Sequence, residues 1–175
     1  IAHHQRAGER ATQRFAGTEA IAHFRRAIEL LRMLPESAER DRQEMRLQIA
    51  LGVPLQHFRG HGSTESEEVY ARALALSRRV GDASERFQAL FGVGMFFRHN
   101  DAARALELGR ELLELAERTG DTSQLLLAHS ALGSSLFAQG QFSQALQHQE
   151  RAIALYAPIV HRSLHFVYGI DPGII

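Results

Sequence analysis

The side chains with the most chemistry to offer in this chain are its ten histidines. His161 and His165 stand four apart, an interval that puts two imidazoles on one side of a helical turn, as zinc ligands can be. His57 and His61 repeat the interval, but Gly60 and Gly62 argue against a helix there. Neither pair encloses an acidic residue in the pattern of a helical zinc peptidase. There is no cysteine, so disulfides and thiolate-bound zinc are excluded. His99 and His148 read as surface or helix-end histidines, and His3-His4 as part of the helical pattern they open. No glycine-rich loop ends in Lys-Ser or Lys-Thr, so no phosphate cradle of that kind is present. These readings assign no catalytic residue, no metal and no cofactor.

The residues that would have to position any site are small ones, and they recur. Leu132-Gly133 is followed by Gly140, Ala145, Ala152 and Pro158, with twelve residues from Gly133 to Ala145 and seven from Ala145 to Ala152. Gly8, Ala20 and Ala27 keep both intervals, with Phe24 between them and Pro35 beyond. Leu51-Gly52 with Tyr70 and Ala73, and Gly94 with Ala105 and Leu112, are looser copies. Gly81-Asp82-Ala83-Ser84-Glu85 resembles Gly120-Asp121-Thr122-Ser123-Gln124 at an offset of 39. Each such phrase can end one helix on a left-handed glycine and cap the next with aspartate, Glu85 or Gln124 completing a capping box. Glycine inside a helix costs about 1 kcal/mol against alanine, so its recurrence asks for a packing reason. Small residues facing one another across a hairpin let two helix backbones approach closely.

Apolar spacing and caps predict helices over about 2–15, 18–34, 37–58, 64–80, 83–98, 102–118, 122–139 and 142–157, with Thr18, Ser37 and Thr64 as starts. The fold expected is all-α, a right-handed superhelical solenoid of about four antiparallel hairpins at 1–35, 37–80, 82–118 and 121–157. Residues 158–175 then form a connector to a truncated next repeat. A start on Ile1 and an end on Ile174-Ile175, just past Asp171-Pro172-Gly173, suggest a segment cut from a longer protein.

Charge is balanced, 20 basic against 20 acidic residues with a pI near 7.4, which speaks against direct nucleic-acid contact. The longest apolar run, Ala89 to Phe97, is too short to span a bilayer. A cytoplasmic location is expected.

The Leu-Gly, Ala, Phe and Ala positions resemble tetratricopeptide repeats. Longer phrases narrow the likeness: Glu19 to Phe24 with Ala27 to Leu31 and Leu34-Pro35-Glu36; Glu44 to Gln48 with Ala50 to Leu55; Tyr70 to Leu74 leading to Val80-Gly81-Asp82; and His161 to Leu164 with Tyr168-Gly169. Together they resemble the repeat region of large bacterial signalling ATPases, often fused to adenylate or guanylate cyclase or kinase domains. The phrase Val93-Gly94-Met95 with Phe96 to Asn100 departs from that pattern, which tends to hold a tryptophan and one more residue. The resemblance implies an interaction and regulatory scaffold whose catalytic parts, including a cyclase's paired aspartates, lie elsewhere in the parent protein.

In such stacks the first helix of each hairpin lines the concave face. The repeat register puts Gln5 and Glu9, Ile49 and Val53, Phe91 and Met95, and Ser130 and Ser134 there. Gly8, Ala20, Phe24, Ala27, Gly52, Tyr70, Ala73, Gly94, Ala105, Gly133, Ala145 and Ala152 are the packing positions. A one-residue shift would turn Ile49, Val53, Phe91 and Met95 into core, so groove and core both stay open. None of the eight is the lysine or asparagine of a carboxylate clamp. The partner expected is a protein or peptide, an apolar helix or another part of the parent chain, and the end repeats are expected to self-associate. The sensor array of a transcriptional activator and a histidine-metal enzyme are the alternatives.

Overall fold

The computed structural model describes residues 1–60, 62–169 and 172, the side chains of His99 and Arg162 apart. Eight long helices follow one another: α1 (Ala2–Gln13), α2 (Gly17–Arg32), α3 (Ala38–Arg59), α4 (Thr64–Val80), α5 (Ala83–Asn100), α6 (Ala102–Thr119), α7 (Thr122–Ala138) and α8 (Phe142–Leu155). Two short turns of helix, α9 (Pro158–His161) and α10 (His165–Tyr168), close the chain around a 3₁₀ turn at Arg162–Leu164. There is no strand among the described residues.

Local chemistry sets the helix starts. The side chains of Ser37, Asp82, Asp101 and Asp121 accept hydrogen bonds from the backbone N–H three residues on, each satisfying a donor that the helix leaves orphaned. Asp82 and Glu85 form a reciprocal capping box. Gln124 does not: its amide donates to the Ser84 hydroxyl at 3.1 Å, tying α7 to the start of α5. Two starts differ from expectation. Ser63, not Thr64, caps α4, and α2 begins at Gly17 behind Ala16 with no side-chain cap from Thr18. Of the two glycines expected to be left-handed, Gly120 is (φ 68°) and Gly81 is extended (φ −83°).

Each helix packs on the next, which makes α1–α2, α3–α4, α5–α6 and α7–α8 consecutive hairpins. In addition α1 touches α3, α3 touches α5 and α5 touches α7, more closely than any even-numbered helix touches the next even-numbered one. In a curved stack the row of helices in closest contact lies on the inside of the bend. The odd helices therefore form the inner face of an all-α, tetratricopeptide-like solenoid.

The recurrent glycines act differently from the expected small-on-small contact. A Cβ on Gly8 would lie 2.8 Å from the Phe24 ring, and one on Gly133 would lie 3.0 Å from the Gln149 amide. Gly52 of α3 and Gly92 of α5 face the same fully buried Tyr70 ring, each too closely for any Cβ. Gly8, Gly52, Gly92 and Gly133 are holes that each receive one large side chain from a neighbouring helix, whereas a Cβ on Gly94, expected to be such a position, would meet nothing nearer than 3.9 Å. Ala20, Ala27, Ala73, Ala105, Ala145 and Ala152 are buried beside them, whereas Gly140 sits in the α7–α8 turn. At the far end of the stack, α8 turns Phe142, Leu146 and Ile153 to solvent.

Candidate functional site

The inner face is already in use. After α8 the chain turns at Ala157-Pro158, where the buried His161 fixes the reversal by accepting the Ala157 N–H on Nδ1 at 3.0 Å. The chain then crosses back, and α10 lies on α3 and α5. Tyr168 is its anchor. The ring is 6 % exposed and meets Phe87 and Phe91 edge-on, with centroids 6.0 and 5.5 Å apart. The side-chain amides of Gln88 and Gln124 stand beside its hydroxyl and favour the ionised form. Burial, with a smaller contribution from the Asp121 carboxylate, pushes the phenol up to about 12, so it stays protonated.

One residue on, the Gly169 carbonyl accepts a hydrogen bond from His57 Nε2 at 2.9 Å. Gly169 has φ 75°, and a Cβ there would lie 2.6 Å from Gln56 Oε1. Before the anchor, Leu164 packs on the cluster that holds Phe87 and Phe91. His165 stacks flat on Phe15 from the α1–α2 loop, centroids 6.0 Å apart.

Beside this docked segment lies a cavity of about 360 Å³. Gln5 and Glu9 of α1, Ile49 and Val53 of α3, and Glu85 and Gln88 of α5 line it together with Phe166 and Val167. Arg46 donates to Glu85 across it at 2.6 Å, bridging α3 and α5. Of the remaining register positions, Phe91 is a wall of the Tyr168 slot and Ser130 lines a second, smaller cavity with Pro172. Met95 is buried between α5, α6 and α7, and the Ser134 hydroxyl accepts from Gln149 inside the last hairpin. Sequence reasoning overlooked Gln56, Phe87 and Gln88, weighed His57 only as a metal ligand, gave Gln124 a capping role and met Tyr168 only in a motif phrase. Only the four-residue step between Phe87 and Phe91 hinted that the two rings share a face.

Residues 85–157 match the family model described as Tetratricopeptide repeat. That stretch is similar to tetratricopeptide repeats. It takes in nearly all of α5 and the whole of α6, α7 and α8, so the model match and the hairpin packing agree on the second half of the stack. No curated protein matches the chain. Tetratricopeptide repeats mediate contacts between proteins, and the inner face is where this chain already holds a segment of polypeptide.

The histidines are arranged otherwise than their spacing suggested. His148, read as a surface residue, meets His129 across α7 and α8 with Nδ1 atoms 2.9 Å apart. His4 and His23 make the same contact across α1 and α2 at 3.1 Å, in equivalent positions of the first and last hairpins. The ring centroids are 5.1 and 5.3 Å apart, so the rings point almost straight at one another. A metal bound to both nitrogens at about 2.1 Å would set the rings at an angle, with their centres nearer. The head-on arrangement is an N–H···N hydrogen bond, in which one ring donates and the other stays bare. Burial, aided by Arg151, holds both His129 and His148 below the ordinary imidazole value. His161 and His165 are split between two turns with separate duties, and His61 lies outside the described residues. Among the described residues no three or more His, Cys, Asp or Glu side chains gather where they could hold a metal ion. No described helix is long and apolar enough to cross a membrane.

Proposed function

We propose that this chain is an interaction and regulatory scaffold within a larger bacterial signalling ATPase, of the kind fused to adenylate or guanylate cyclase or kinase domains. Its inner face docks polypeptide from other parts of the parent protein, and the chemistry of the parent is done elsewhere. The observation that carries this is the docked C-terminal segment. An aromatic anchor in a closed slot and a backbone carbonyl held by a side chain are the means by which helical repeats and other grooves hold peptides. The motif phrases around Glu19, Glu44, Tyr70 and His161 supply the parent class. Gln5, Glu9, Ile49 and Val53 are the contact positions left for an incoming segment, and their neutral-to-acidic character suits an apolar helix better than a terminal carboxylate.

The test is a photo-crosslinking residue at Gln5, carried in the full-length parent protein. Capture of a segment from another domain of that protein supports the reading. Capture of nothing, or of DNA alone, overturns it. The upstream reading frame checks the class independently: a glycine-rich loop ending in Lys-Ser or Lys-Thr is expected there, and a helix-turn-helix domain in its place refutes the ATPase assignment.

A further inference from the structure

We propose that the Tyr168 slot is a recognition site for a short Leu-x-x-x-Tyr-Gly segment, and that residues 164–169 are its resident, displaceable ligand. This deepens the reading of the inner face as a docking surface and rests on it.

Three observations separate a ligand from a piece of core. The first is that the walls of the slot hold one another through contacts that do not involve residues 164–169. Phe87 and Phe91 stand one turn apart on α5 and stack on one another at 6.3 Å. Gln124 is held by the Thr119 hydroxyl and by Ser84. The second is that full burial is concentrated at Tyr168-Gly169. Phe166 and Val167, immediately before Tyr168, stay 37 % and 40 % exposed on the rim of a cavity that they do not fill. The third is that each recognition element reads a different feature of the segment. Phe87 and Phe91 read an aromatic ring, which meets both of them edge-on. His57 reads the next carbonyl, and the left-handed backbone there (φ 75°) favours glycine as the residue after tyrosine. Leu164, one helical turn before the tyrosine, packs on the aromatic cluster and sets the spacing. The partner is therefore a helical turn carrying leucine and tyrosine four apart, closed by glycine. A partner of this chemistry must displace residues 164–169 before it can bind.

The experiment uses the full chain with Tyr168→Ala, which empties the slot, and a fluorescein-labelled peptide reproducing residues 161–169. Anisotropy titration should show binding to the Tyr168→Ala chain at least about tenfold tighter than to the unaltered chain, where residues 164–169 compete. A peptide with alanine in place of its tyrosine should not bind, and Tyr168→Phe should give an intermediate competitor. Circular dichroism of Tyr168→Ala should match the parent chain. Loss of helix in that variant would make the tyrosine core and overturn the proposal, as would equal binding to both chains or no binding to either. Failure here with crosslinking from Gln5 still positive would remove the slot and leave the docking face standing.

Discussion

Two glycines on α5, two residues apart, should respond to alanine with opposite sign. Substituting alanine for glycine in a helix interior is worth about 1 kcal/mol of stability when the new methyl has room. At Gly94 it has room: the nearest atoms are Leu112 Cδ1 at 3.9 Å and Leu108 Cβ at 4.0 Å, which is ordinary van der Waals contact. Gly94→Ala should therefore stabilise the chain by up to about 1 kcal/mol, roughly 2–4 °C in midpoint for a protein of this size. At Gly92 the new methyl would fall inside 3.0 Å of three Tyr70 ring carbons. The ring cannot retreat, because Gly52 of α3 presses on it as closely and its hydroxyl reaches Gln56 Oε1 at 3.4 Å. Overpacking of this kind costs typically about 1–3 kcal/mol, and a ring wedged between two backbones belongs at the upper end. Subtracting the helix gain leaves Gly92→Ala destabilised by about 2 kcal/mol, or roughly 4–8 °C. Urea melts followed by circular dichroism at 222 nm read both variants with one assay. A stabilised Gly92→Ala, or a Gly94→Ala that loses stability, would refute the account of the glycines as holes for single large side chains.

The paired imidazoles make stability depend on pH. The folded chain holds His129 and His148 below their ordinary value, so it binds fewer protons than the unfolded chain as pH falls. Their contribution is fully present above about pH 6.5 and is lost progressively below it, with Arg151 adding to the repulsion and Glu117 opposing it. The melting midpoint should fall between pH 7.5 and pH 5, and His148→Gln should flatten that fall; an unchanged slope would show that the pair does not titrate. The exposed stripe of Phe142, Leu146 and Ile153 on α8 should drive self-association of this chain. Light scattering should report a mass above 19.6 kDa that rises with concentration, and Leu146→Glu combined with Ile153→Glu should bring it back to the monomer; a monomer before substitution would remove the stripe as an interface.

The hairpins were legible in the sequence because what makes them is local. Caps at Ser37, Asp82, Asp101 and Asp121 act over three residues, and an apolar stripe at helical spacing declares which face a helix must bury. The 39-residue echo between Asp82 and Asp121 likewise gave the pitch of the stack, since the α5–α6 and α7–α8 hairpins start with the same aspartate cap. Even here a one-residue ambiguity survived, as at Ser63 and Thr64, where either hydroxyl can cap and the chain direction decides.

What the sequence determined by itself was therefore the class of fold and its period, together with the absence of any thiol. The tertiary structure alone decided which side chain enters each glycine hole, that Gly92 matters more than Gly94, that His148 meets His129, and that Tyr168 returns to α5. These are contacts between residues from 16 to more than 80 positions apart. They depend on the angle and depth at which helices pack, and helix propensity is blind to both, because it fixes a residue's direction around its own axis and nothing about the neighbour that arrives there.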